Sequence, residues 1–271
     1  MSHSSALASS TSPFSSTEPN PWLGAKGALL VLLGFILTSE LLPITLRFSL
    51  GVFVGFCEGI VGTFSDAFID ELLRWTAPFF SILSMVGGVW AGMWIFFKWT
   101  KDQRLFQWLL KLVWQPGHGS FFMWPFFIGL SLGLSFYFFF PFYWFDPPSA
   151  LPRSLPQQMI NAPLIPQLLW ILIFVAIAPF IEECLFRGIL YAGFSQSWGT
   201  FWGGMMVTGI FVALHFPQVY VYPPAALAIL CLGFATLWLR LRTHALASGI
   251  VCHMTYNALC VMGMFLFHSS S

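Results

Sequence analysis

Residues 174–194 read FVAIAPFIEECLFRGILYAGF. The run has the length of about 20 mostly apolar residues that a helix needs to cross hydrocarbon, yet Glu182, Glu183 and Arg187 sit inside it. A charge at the centre of a membrane helix costs on the order of 3 kcal/mol on insertion scales, so three in one helix require a reason. Glu183 and Arg187, four apart, share a helical face and read as an internal ion pair. Glu182 does not share that face, because adjacent helical residues point about 100 degrees apart. Its carboxylate must address another partner.

The rest of the chain explains why lipid is the expected solvent. Its 271 residues are 58% hydrophobic and 19% aromatic, with 32 Phe and 13 Trp, and only 8% charged, against roughly 25% in soluble domains. Mean hydropathy is +0.80. The expected fold class is therefore an all-α polytopic transmembrane helix bundle. Apolar windows near 27–46, 75–97, 120–145, 167–194, 199–216, 222–241 and 243–267 predict seven spans. The stretch 49–64, interrupted by Glu58 and by glycines, reads as an eighth span, a re-entrant segment or an interfacial helix. Over 98–115, Lys98, Lys101, Arg104 and Lys111 alternate with aromatic and aliphatic residues, the pattern of an amphipathic helix on the membrane surface.

Residues 1–25 are Ser-rich and polar and read as a disordered tail without a signal peptide. Residues 26–145 form the N-terminal membrane helices, the Pro-rich 146–166 a connecting loop, and 167–268 the core that holds the unusual residues. Lys plus Arg total 11 and Asp plus Glu 10, so there is no basic field for nucleic acid. Cys57, Cys184, Cys231, Cys252 and Cys260 include no CxxC pair and indicate neither a disulfide framework nor a structural zinc site.

Two histidines offer Glu182 its partner. Counting about 1.5 Å per residue from a turn near 196–199, Glu182 lies roughly 21 Å along its helix and His215 roughly 24 Å along the next; His253 is about 15 Å deep in the last helix. Asn257 follows His253 by four residues and shares its face. Phe211 has the same spacing before His215 and is placed to pack against it. His3, His118, His244 and His268 lie in the tail, after the surface helix, at a turn and at the C-terminus, and carry less weight.

A carboxylate beside an imidazole, shielded from lipid, can take a proton from water. A second His and an Asn from another helix are suitable donors to the oxyanion of a tetrahedral intermediate. Together they suit amide hydrolysis. There is no HExxH, no GxSxG-type serine turn (the one match, GLSLG at 129–133, lies inside a long apolar run) and no pair of membrane aspartates. Ser248 lacks flanking glycines in that pattern and reads as a packing residue, while an apolar setting argues against Cys184 as a nucleophile.

Taken in order, EExxxR at Glu182, Glu183 and Arg187, FxxxH ending at His215, and HxxxN at His253 and Asn257 resemble the CAAX protease and bacteriocin-processing (CPBP, or Abi) family of intramembrane endopeptidases. The resemblance covers about residues 167–267. It implies that Glu182 and His215 activate the attacking water, that His253 and Asn257 stabilise the oxyanion, and that Glu183 and Arg187 support the site. The family has also been described as metalloproteases, and Glu182, His215 and His253 make a conceivable set of zinc ligands. The absence of HExxH spacing favours a metal-free glutamate mechanism with no cofactor. The expected partners are membrane lipids and a protein or peptide substrate, and the expected location is a bacterial inner membrane or a eukaryotic endomembrane. Two other readings use the same residues: a non-proteolytic scaffold or immunity protein, and a transporter with a Glu/His proton relay.

Overall fold

With no water in hydrocarbon to satisfy its N–H and C=O groups, an apolar chain of this kind must wind into helices. The computed structural model describes residues 24–100, 104–113, 123–139, 159–160 and 162–268, and among them there is no strand. The expected tail at 1–23, most of the Pro-rich loop, His3 and His118 lie outside the described residues.

Helices α1 (Ala25–Val61) and α2 (Asp66–Thr100) form an antiparallel pair. The ambiguous stretch 49–64 belongs mostly to α1, which runs without interruption through Pro43. It is no eighth span. Glu58, the charge that made it ambiguous, closes the turn: its backbone carbonyl accepts from the Gly62 N–H and its Oε1 accepts from the Phe64 N–H at 2.9 Å. The 37 residues of α1 make a rod of about 55 Å. A core of about 30 Å cannot hold that length even at the steepest usual tilt. Part of the pair therefore extends beyond the hydrocarbon, and the acidic end, with Glu58, Asp66, Asp70 and Glu71, is the costlier one to bury.

The short helix α3 (Arg104–Val113) occupies the middle of the expected surface helix. Two of its apolar residues are covered by protein, Leu112 and Val113 being buried with Leu246 and Ile250, while Leu110, Lys111 and Gln107 stay exposed. Helix α4 (Met123–Phe139) carries Gly129 and Gly133, four apart. A side-chain carbon on Gly129 would strike the Cys252 carbonyl, and one on Gly133 would strike Leu259. Small residues at this spacing let two membrane helices approach backbone to backbone. Here they seat α4 on the helix that carries His253.

The second half begins at Leu164, inside the stretch expected to be loop. Helix α5 (Leu164–Leu172) passes into a π-wound segment (Ile173–Ile177), then α6 (Ala178–Glu183), a second π segment (Cys184–Leu190) and α7 (Tyr191–Leu214). The rod doubles back at Gly199, whose φ of 81° and ψ of 164° are open essentially to glycine alone. Helices α8 (Phe216–Val221), α9 (Ala225–Thr243) and α10 (Leu246–His268) complete the chain. Five helical stretches are long and apolar enough to cross a membrane, one of them the folded rod, and α4 is a shorter apolar helix. Counting both arms of that rod, the described residues make seven apolar passes, and the protein is an integral membrane protein.

The main core lies where α1 and the end of α2 meet the folded rod. Ala28, Val31, Phe96, Leu190, Phe194, Val207 and Phe211 are buried in one cluster there. The Ala25 N–H donates to Ser197 Oγ at 2.9 Å, tying the start of α1 to the Gly199 turn.

Candidate active site

The two arms of the folded rod run in fixed register. Gly203 packs on Ser195 near the turn, and the Phe211 ring meets the Phe186 ring edge-on at 5.0 Å further down. Continued four residues along each arm, that register leads to Glu182 on one and His215 on the other, with no ion pair or hydrogen bond joining the two. The arrangement follows from one glycine turn joining two apolar helices. His253 reaches the same level from α10, which Gly249 allows to lie close: a side-chain carbon there would stand 3.0 Å from Glu183 Oε2.

His253 is held between both carboxylates. Its Nδ1–H donates to Glu183 Oε1 at 2.9 Å, and its Nε2 lies 3.7 Å from Glu182 Oε2. The second distance is too long for a hydrogen bond, yet a water could touch both atoms at about 2.8 Å. Donation by Nδ1–H to a carboxylate fixes the imidazole's orientation, the arrangement seen where a third group steers a working histidine. The partner expected for Glu182 is thus a histidine, but the contact goes to His253, while His215 bonds to Phe211 on the neighbouring arm.

Glu183 and Arg187 form the expected ion pair, with Nη1 3.2 Å from Oε1 and both side chains fully buried. The pair is ionic contact rather than an aligned hydrogen bond, because Nη1 finds no acceptor in good geometry. Arg187 is instead anchored on α9, where its Nη2 donates to the Gly233 carbonyl at 3.1 Å, and its guanidinium lies 4.4 Å from the centre of the Phe211 ring. A buried pair of this kind costs desolvation of both charges and holds only while both partners remain.

Phe211 links the two imidazoles. Its ring lies 4.6 Å from that of His215 and 5.9 Å from that of His253. The Phe211 carbonyl takes a 2.7 Å bond from His215 Nδ1. A carbonyl can only accept, so the proton sits on Nδ1, and a neutral His215 presents the Nε2 lone pair. Asn257 donates from Nδ2 to the Phe174 carbonyl at 2.8 Å, in the first π segment. Glu182 differs from Glu183 in access: its side chain is 21% exposed, whereas that of Glu183 is completely buried.

Ser248 lies at the α9–α10 turn, bonded to Thr243 Oγ1 and the Ala245 carbonyl, as expected of a packing residue. All five cysteines are free thiols. Among the described residues no three His, Cys, Asp or Glu side chains gather as a metal-holding group. Sequence reading could not find the Phe174 and Gly233 carbonyls, because backbone acceptors leave no residue-type signature. Gly249 had a faint one, a small residue four positions before His253 and so on its face.

Residues 164–259, about a third of the chain, match the Rce1-like family, described as Type II CAAX prenyl endopeptidase Rce1-like. That stretch contains all three motifs and is the family they pointed to. The match supports a membrane endopeptidase of the CAAX type in general terms, a hydrolase acting on protein or peptide. No curated protein matches the chain, and neither does any solved structure.

Proposed function

We propose that the protein hydrolyses a peptide bond of a membrane-associated protein or peptide by means of a water activated within the bundle. Glu182 takes a proton from that water, with His215 Nε2 as the second acceptor on the opposite arm. The resulting hydroxide attacks the carbonyl carbon. Asn257 donates to the oxyanion, as does the Nε2–H of His253 in its doubly protonated form, whose Nδ1–H stays on Glu183; the proton held by Glu182 passes to the leaving nitrogen as the C–N bond breaks. The products are a carboxylic acid and an amine, which ionise on release to a carboxylate and an ammonium. Glu183 and Arg187 hold His253 in place without touching the substrate.

The observation that carries this reading is the pairing of unlike carboxylates around one imidazole: Glu183 is buried and ion-paired, and Glu182 is partly open, 3.7 Å from His253 Nε2. A purely structural cluster has no use for the second, unneutralised acid. The reading is metal-free, resting on the lack of HExxH spacing in the sequence. Because the family description names CAAX prenyl substrates, a farnesylated CAAX peptide in lipid vesicles is the first reporter to use. Glu182→Gln should lower its cleavage by about 10²–10⁴-fold, the contribution of a general base, with expression and unfolding temperature retained. Cleavage at the wild-type rate by that variant would overturn the proposal. Loss of wild-type cleavage on chelation, restored by zinc, would overturn its metal-free form.

A further inference from the structure

Ile173–Ile177 is wound as a π-helix nine residues before Glu182, and its hydrogen bonds leave one carbonyl without a backbone donor. In an α-helix the Phe174 carbonyl would accept from the Ala178 N–H, but that N–H bonds to Ile173. In the wider π winding the next donor belongs to residue 179, which is proline and has none. A carbonyl stranded inside a membrane bundle must find a partner elsewhere. It finds the Asn257 side chain, whose Nδ2 donates to it at 2.8 Å.

We infer that Pro179 is a positioning residue for Asn257. By withholding an N–H it keeps the Phe174 carbonyl open, and that carbonyl orients the Asn257 amide across 83 residues of sequence. Only the Nδ2 end of an amide can donate to a carbonyl, so the bond also decides which way round the amide sits. The second N–H is then the donor that remains for an oxyanion, a consequence that rests on the hydrolytic reading above. Replacing Pro179 with alanine removes the device in either winding: in the π register the new N–H reaches Phe174, and in a relaxed α register Ala178 does. Both compete with Asn257 for the same acceptor.

The chain contains three asparagines, Asn20, Asn161 and Asn257, so asparagine-labelled protein in lipid nanodiscs gives three side-chain amide pairs by NMR, with Asn257→Ala assigning one. One Asn257 amide proton should exchange slowly with solvent in the wild type and at least tenfold faster in Pro179→Ala. A wild-type Asn257 amide without a protected proton would overturn the inference before any variant is needed, as would unchanged protection in Pro179→Ala. Alanine is the better helix former, so the variant is not expected to unfold. On the farnesylated reporter, Pro179→Ala should lower kcat about tenfold at constant KM, and Pro179→Ala/Asn257→Ala should be no slower than Asn257→Ala alone. Additive losses would overturn the inference. Failure of the hydrolytic reading would show separately, as cleavage that survives Glu182→Gln while the amide exchange still responds to Pro179.

Discussion

Arg187 is the permanently charged partner of a carboxylate that is fully buried, and it pairs with it from within the bundle. Removing it leaves Glu183 charged with only the His253 N–H beside it, and breaking a buried pair in this way costs about 3–5 kcal/mol. Arg187→Met should accordingly lower the unfolding temperature in detergent markedly. Adding Glu183→Gln to the same chain should restore much of the loss, because the orphaned charge disappears with it. Gly249→Ala tests the other side of that carboxylate: its new carbon, 3.0 Å from Glu183 Oε2, must push the acid toward Arg187 or tilt α10. Reporter cleavage should fall more than stability does, since the first group to move is the one that orients His253. At these positions the residue types were legible from the motifs. Their partners were not: Glu182 and Glu183 both address His253, one at each ring nitrogen, and no spacing rule anticipates that.

The elements carry their own constraints. Gly199 reverses the rod that holds Glu182 and His215, in a conformation that costs other residues about 1–3 kcal/mol. Gly199→Ala should lose stability in that range by thermal unfolding and shift the register of the two arms. Gly129→Val on α4 should act differently. It would push α10 away at Cys252, next to His253, so cleavage should fall while α1, α2 and the Gly199 turn keep their protection from hydrogen exchange. Helix existence followed from apolar length, and the amphipathic helix from its alternating basic and apolar residues. The continuity of α1 did not follow. A glutamate capping a turn and a glutamate crossing hydrocarbon look alike until the hydrogen bonds of Glu58 are seen. Nor are the π segments legible, because the winding depends on which carbonyls find donors.

Across the bundle, charge is distributed by side. Lys26, Lys98, Lys111, Arg240 and Arg242 gather at the end where the Gly199 turn, α3 and the α9–α10 connection meet. Aromatic rings accompany them, with Lys98 over Trp94 at 5.6 Å and Arg242 over Trp238 at 5.7 Å, a pairing suited to the membrane interface. Glu58, Asp66, Asp70 and Glu71 mark the opposite end, where a described cation, Arg74, is paired with Glu71 at 2.9 Å. The positive-inside rule then predicts that the basic end faces the cytoplasm. In a chain whose native cysteines are replaced, an impermeant thiol reagent outside intact cells should label Asp66→Cys and spare Gln107→Cys. The reverse pattern would invert this topology.

Apolar length, the few intramembrane charges and three short motifs were enough to establish a helical membrane bundle and to single out Glu182, Glu183, Arg187, His215, His253 and Asn257. They suffice because hydrocarbon penalises every charge and every unpaired backbone group, so each exception is visible in the amino acids themselves. Which groups meet was decided only by the packed chain: His253 between two acids, Arg187 on the Gly233 carbonyl, and Asn257 on the carbonyl that Pro179 strands. Those contacts join backbone atoms and side chains far apart along the chain, and their geometry depends on glycine-mediated approach and on local winding rather than on the identity of any one residue.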